Sequence, residues 1–337
     1  MPRLTPLRFQ FEELRVGAIV FVLMLLPVGG VMAVLQLFVP TKEVQRIVST
    51  TYAIDPAPRL QLYVFYLTAA VAHVIVTALV ITFLRKGLQQ NISATKHGAI
   101  TLGVYSFSAL IIGLFLISAY LNPVLSTLSH ERVYAVLERS PLFAPYFAPV
   151  SLRGLVPSFY RFSVVPVSLI VLGLIVIVLT CFSVGRDVTV VTNSIRSRPT
   201  ADKRRDIDLK IRSFHIYFYV LSSVLVTSTI ATALFLKLPL TSIAAGDGYS
   251  AFSDLSNAMS VCWGITFSLT MLAMCFYPYF RIQRDLRVLL KDSRITDDRE
   301  LQQWITDIQQ NYVIYANLKS LLAIFVPAAV GALSRFI

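Results

Sequence analysis

Six long apolar runs set the layout of the chain: residues 16–39, 60–84, 99–121, 162–184, 214–236 and 258–280. Each reaches the roughly 20 residues that take an α-helix across about 30 Å of hydrocarbon. A seventh run, 320–333, is shorter and fits either a tilted span or a re-entrant hairpin. None of the runs alternates as a lipid-facing β-strand would. Divided this way, all 18 Asp and Glu and all 30 Lys and Arg fall between the runs. The pattern predicts an all-α, polytopic transmembrane helical bundle of six long spans plus a short C-terminal seventh, one domain over residues 1–337. A long loop at 122–161, a basic loop at 185–213 and a helical segment at 281–319 lie outside the bilayer.

Charge then orients the spans. The stretch 185–213 carries eight Lys and Arg against four Asp, and a short basic loop between two spans stays cytoplasmic. Alternating from it, the cytoplasmic side collects 21 of the basic residues and the external side nine. This predicts a cytoplasmic N-terminus, an external 122–161 loop and, with a seventh span, an external C-terminus. The net charge of +12 therefore reads as topology and contact with anionic lipid headgroups, and no DNA-binding motif makes nucleic acid a partner. At 56% hydrophobic and 14% charged residues, the composition excludes a soluble domain and points to a plasma membrane or a bacterial inner membrane.

Several positions carry candidate chemistry. Pro27, Gly29 and Gly30 can kink the first span or let a neighbour approach, and residues 41–52 have the spacing of a short interfacial helix. His73 is the only histidine well inside a run, which makes it the candidate for proton chemistry; with no acid in any span to partner it, a hydrogen-bonded structural role is the simpler reading. In 122–161, Pro141, Pro145 and Pro149 with aromatics between them rule out a regular helix and suit an aromatic segment at headgroup level. The fifth run is rich in hydroxyls, among them Ser222, Ser223, Thr227 and Thr229, and the sixth carries Ser260, Thr266, Ser268 and Thr270. Such side chains bond back to their own helix or line a polar path. Ser223, Thr227, Thr266 and His73 are the candidates for that path.

Beyond the sixth run, Arg281, Arg284 and Arg287 recur between apolar residues, as in a helix leaving the membrane along the headgroups. Asp297 and Glu300 stand at capping-box spacing before an apolar stripe of Leu301, Trp304, Ile305, Ile308 and Tyr312. Lys203, Arg204 and Arg205, together with Trp304, form a candidate contact surface for a cytosolic partner.

The four histidines and three cysteines show no metal spacing, and no nucleotide-binding fingerprint is present. The sequence implies neither cofactor nor metal and argues against an enzyme. It suggests instead an oligomeric gated channel or pore, with a membrane sensor or scaffold, or a carrier for a neutral solute, as alternatives. The ending from Asn317-Leu-Lys-Ser-Leu-Leu to Arg335-Phe336-Ile337 is similar to the last segment of the insect odorant and gustatory receptor channels, without that family's Thr-Tyr pair or terminal Gln-Phe. The layout resembles theirs too, in its seven spans, long third-to-fourth loop and amphipathic helix before the last span. That resemblance implies a tetramer whose last span lines the pore.

Overall fold

A computed structural model describes residues 6–38, 53–55, 59–89, 132–147, 164–197, 200–290, 299–311, 318–333 and 336. The third span expected at 99–121, the interfacial helix expected at 41–52 and the cap expected at Asp297 lie outside the described residues. Among the described residues eight α-helices follow in order: α1 (Pro6–Phe38), α2 (Leu60–Gln89), α3 (Arg132–Leu137), α4 (Val164–Arg196), α5 (Ala201–Lys237), α6 (Asp247–Leu290), α7 (Arg299–Asn311) and α8 (Leu318–Leu333). Five of them, α1, α2, α4, α5 and α6, are long and apolar enough to cross a membrane, and α8 is a shorter apolar helix. The described residues contain no strand beyond one isolated bridge between Ile54 and Ile243.

The helices outrun the apolar runs that nucleate them. α5 has 37 residues and α6 has 44, so at 1.5 Å per residue they extend about 55 and 66 Å, roughly twice the hydrocarbon thickness. The stretch read from sequence as a basic loop at 185–213 is accordingly helical almost throughout: α4 continues to Arg196 and α5 begins at Ala201. Thr200 is extended there, and Asp202 in the first turn of α5 complements the positive end of its dipole. Apolar residues of this projecting region, Ile195, Ile207, Leu286 and Leu289, join the main core with Leu301, Ile305 and Ile308 of α7. The stripe on α7 thus packs against the chain's own helices.

Two glycine contacts fix how closely the helices meet. A Cβ on Gly185 of α4 would lie 2.7 Å from the Gly17 nitrogen and 2.8 Å from the Glu13 carbonyl oxygen of α1. A Cβ on Gly264 of α6 would lie 2.5 Å from the Pro327 oxygen of α8, and one on Gly331 would lie 2.6 Å from the Ser260 oxygen. Backbone sits against backbone at both crossings, the arrangement that small residues permit in membrane bundles. Gly29 and Gly30 differ, since a Cβ at either would meet nothing within 4 Å.

The opposite end is closed by the segment 132–147. Its α3 and a 3-10 turn at Ala144–Phe147 bring Val133, Leu137, Phe143 and Phe147 onto Tyr66, Phe235 and Leu238. The prolines do prevent a continuous helix here, and the aromatics between them are divided: Phe143 and Phe147 are buried, Tyr146 exposed. Ser140 accepts from the Ser242 hydroxyl at 2.8 Å, tying this cap to the α5–α6 connection.

Candidate functional site

The last helix is where sequence chemistry and geometry converge. Pro327 lies inside α8 and has no N–H, so the carbonyl four residues earlier, that of Ala323, loses its helical donor. The Ser222 hydroxyl of α5 supplies one, donating to the Ala323 oxygen at 2.8 Å. On the other side of the break, the Ala328 N–H donates to Ser268 Oγ of α6 at 3.1 Å. Beside these bonds, Gly264 and Gly331 bring α6 and α8 into backbone contact. The acceptor orphaned by the proline is therefore served by a side chain of α5, while a side chain of α6 holds the backbone just beyond it.

The face of α8 turned away from this clasp is open. Leu322, Phe325 and Leu333 are 56, 59 and 58% exposed, and Ala329 and Ala332 are exposed between them. Ile324, Pro327 and Gly331 are buried. α8 is 16 residues long, about 24 Å at the helical rise. It is apolar along its open face and anchored along the other.

Of the residues singled out for a polar path, two come together. His73 of α2 is fully buried, and its Nδ1 lies 2.9 Å from Thr227 Oγ1 of α5. Its Nε2 lies 3.3 Å from the Leu169 oxygen of α4 and 3.5 Å from Thr77 Oγ1. With the proton on Nε2 the ring donates to the Leu169 oxygen; with the proton on Nδ1 it donates to Thr227 Oγ1, whose own hydroxyl donates to the Val224 oxygen at 3.0 Å, and the ring joins three helices. Ser223 and Thr266 do not join them. Ser223 is exposed and donates to its own helix at the Val220 oxygen, 2.7 Å away, whereas buried Thr266 donates to the Cys262 oxygen at 2.8 Å.

The candidate contact surface divides as well. Trp304 packs against the main core, and the Arg204 guanidinium stands 5.9 Å from the centre of its ring. Lys203 donates to Ser197 Oγ at 3.1 Å across the α4–α5 turn, and Arg205 is exposed.

Sequence reasoning missed the ion pairs that gather at this basic end. Asp187 of α4, almost fully buried, lies 3.0 Å from Arg186 and 3.3 Å from Lys210 of α5. Asp285 of α6 takes Arg196 of α4 at 3.0 Å, and Arg281 of α6 takes Glu12 of α1 at 2.6 Å. These pairs place the start of α1, the end of α4, the start of α5 and the end of α6 together, as alternating spans demand. Another buried cation, Arg132 of α3, sits at the other end, 3.0 Å from Ser256 Oγ and 4.1 Å from the centre of the Phe252 ring. The excess of charge was visible in sequence. Which charges would be buried and paired depends on how far the helices project, and the hydrophobic pattern alone does not give that. Among the described residues, no group of three or more His, Cys, Asp or Glu is placed to hold a metal ion.

Comparison with models of known families, with curated proteins and with solved structures finds no match to this chain.

Proposed function

We propose that this membrane protein is a gated channel formed by several copies of the chain, with α8 facing the shared axis. The observation that carries the proposal is the asymmetry of α8, which is clasped on one side by α5 and α6 and bare and apolar on the other. In an oligomer, Leu322, Phe325 and Leu333 from each copy form an apolar constriction of the kind that closes a pore by excluding water. Pro327 supplies the point of bending. Because its orphaned carbonyl and the following N–H are held by Ser222 and Ser268, a shift of α5 against α6 alters the support of α8 at that point. The layout's resemblance to seven-span receptor channels, in which the last span lines the pore, supports the same reading.

The test is reconstitution of purified protein in liposomes, with monovalent cation flux followed alongside imaging of the protein in lipid discs. The proposal expects flux through a ring of copies with α8 innermost. Absence of flux under every trigger tried, or a monomer in the disc, would overturn it. Saturable uptake with counterflow would replace the channel by a carrier.

A further inference from the structure

We infer that α6 carries a binding site for one anionic phospholipid at the basic end of the bundle, independent of whether the protein conducts. The site follows from the order of residues along one face of the helix. Phe276 and Phe280 are 54 and 53% exposed, and one turn further come Arg284 and then Arg287 and Val288, all exposed. At a spacing of 3.6 residues per turn, positions 276, 280, 284 and 287 lie in one stripe. The stripe is apolar where α6 leaves its hydrophobic run and cationic immediately beyond it. A phospholipid has the same order, with acyl chains below a phosphate.

The stripe is also concave. Tyr279, Phe280, Gln283, Arg284, Arg287 and Val288 line a groove of about 300 Å³. Its exposed lining is almost wholly apolar, and the side chains of Arg284 and Arg287 contribute to it. The neighbouring acid, Asp285, is turned inward and buried, where Arg196 holds it at 3.0 Å. Arg284 touches that carboxylate through Nε at 3.5 Å, and its side chain is 66% exposed. Arg287 forms no ion pair among the described residues. Two guanidiniums able to fork onto phosphate oxygens, set over exposed phenyl rings, complement a lipid anion better than a soluble phosphate, which has no use for the apolar floor.

The occupant is therefore an anionic glycerophospholipid of the adjacent leaflet, its phosphate at Arg284 and Arg287 and a chain along Phe280 and Phe276. The experiment is native mass spectrometry of the intact protein equilibrated with equal amounts of phosphatidylglycerol and phosphatidylcholine. Wild type is expected to retain phosphatidylglycerol selectively. The double variant R284Q/R287Q should lose roughly thirtyfold in that selectivity at low salt, taking each basic side chain near an anionic surface as worth about fivefold. The single variants should each lose about fivefold, which keeps the test available where the double variant does not purify. R299Q, which removes an exposed cation of α7, should change nothing. Selectivity unaltered in R284Q/R287Q overturns the site. So does displacement of the lipid by millimolar inorganic phosphate, which would make it a plain anion site. A change of oligomeric state in R284Q/R287Q with the bound lipid count unchanged would assign the groove to a second copy of the chain, and overturns it too.

Discussion

Replacing Ser222 by Ala removes the one side-chain donor that the described residues place on the Ala323 carbonyl, which Pro327 has already deprived of its helical N–H. The bond lies between α5 and α8 and is partly buried. Leaving a buried acceptor unsatisfied costs about 1–3 kcal/mol in soluble proteins. Hydrogen bonds between membrane helices average about 0.6 kcal/mol and reach about 1.7. A loss of about 1–1.5 kcal/mol is therefore expected for Ser222→Ala. The argument makes a sharper demand on the background. In Pro327→Ala the N–H at position 327 returns, the Ala323 carbonyl recovers its intrahelical partner, and the serine becomes redundant. The same Ser222→Ala change should then cost less than about 0.5 kcal/mol, a coupling of about 1 kcal/mol between residues that share one oxygen. Reversible unfolding in mixed detergent micelles, run on the four proteins of this cycle, measures it. Equal costs of Ser222→Ala in both backgrounds would refute the assignment of Ser222 to the proline break.

Gly264→Ala should destabilise by about 1–3 kcal/mol, because its new methyl meets backbone atoms of α8 that cannot swing aside; Gly29→Ala, with open space around it, should be neutral or slightly stabilising in the same melts. A cycle of His73→Leu with Thr227→Val should give a coupling of about 0.6–1.7 kcal/mol in unfolding, and zero coupling would mean the 2.9 Å contact contributes nothing. Asp187→Ala removes a buried carboxylate shared by Arg186 and Lys210 and should cost about 3 kcal/mol or more. Asp285→Ala removes a carboxylate whose partners Arg196 and Arg284 are half or more exposed and should cost nearer 1 kcal/mol; a reversed order in denaturant titrations would contradict the burial assigned to the two pairs.

The helices long and apolar enough to cross a membrane were legible because the apolar runs are long and unbroken, and five of the expected spans correspond to such helices. Their ends were not. Helix propensity in a charged stretch such as 201–213 says little about whether it continues a span, and the decision rests on packing of Ile207 and Ile211 against the core. The same limit hid the roles of individual hydroxyls. Ser222, Ser223 and Thr227 look alike in sequence, yet one supports a proline break, one bonds to its own helix and one meets His73, because facing is set by neighbours. The stripe carrying Trp304 left its docking place open between the basic loops, another subunit and the membrane, since an amphipathic stripe carries no label of its partner; Trp304 packs against the chain's own core. Pro327 was a visible signal, and the question of which donor serves the carbonyl it orphans would have pointed to the serines of the preceding spans.

The measurement closest to the central claim is thiol accessibility in the reconstituted protein. Phe325→Cys lies on the open face of α8, and Val71→Cys lies on an exposed face of α2, away from the proposed axis. With Cys181, Cys262 and Cys275 replaced, a water-soluble charged thiol reagent should change the flux carried by Phe325→Cys within seconds of addition and leave that of Val71→Cys unchanged. Equal insensitivity of the two, in liposomes where flux is present, would contradict a pore lined by the last helix.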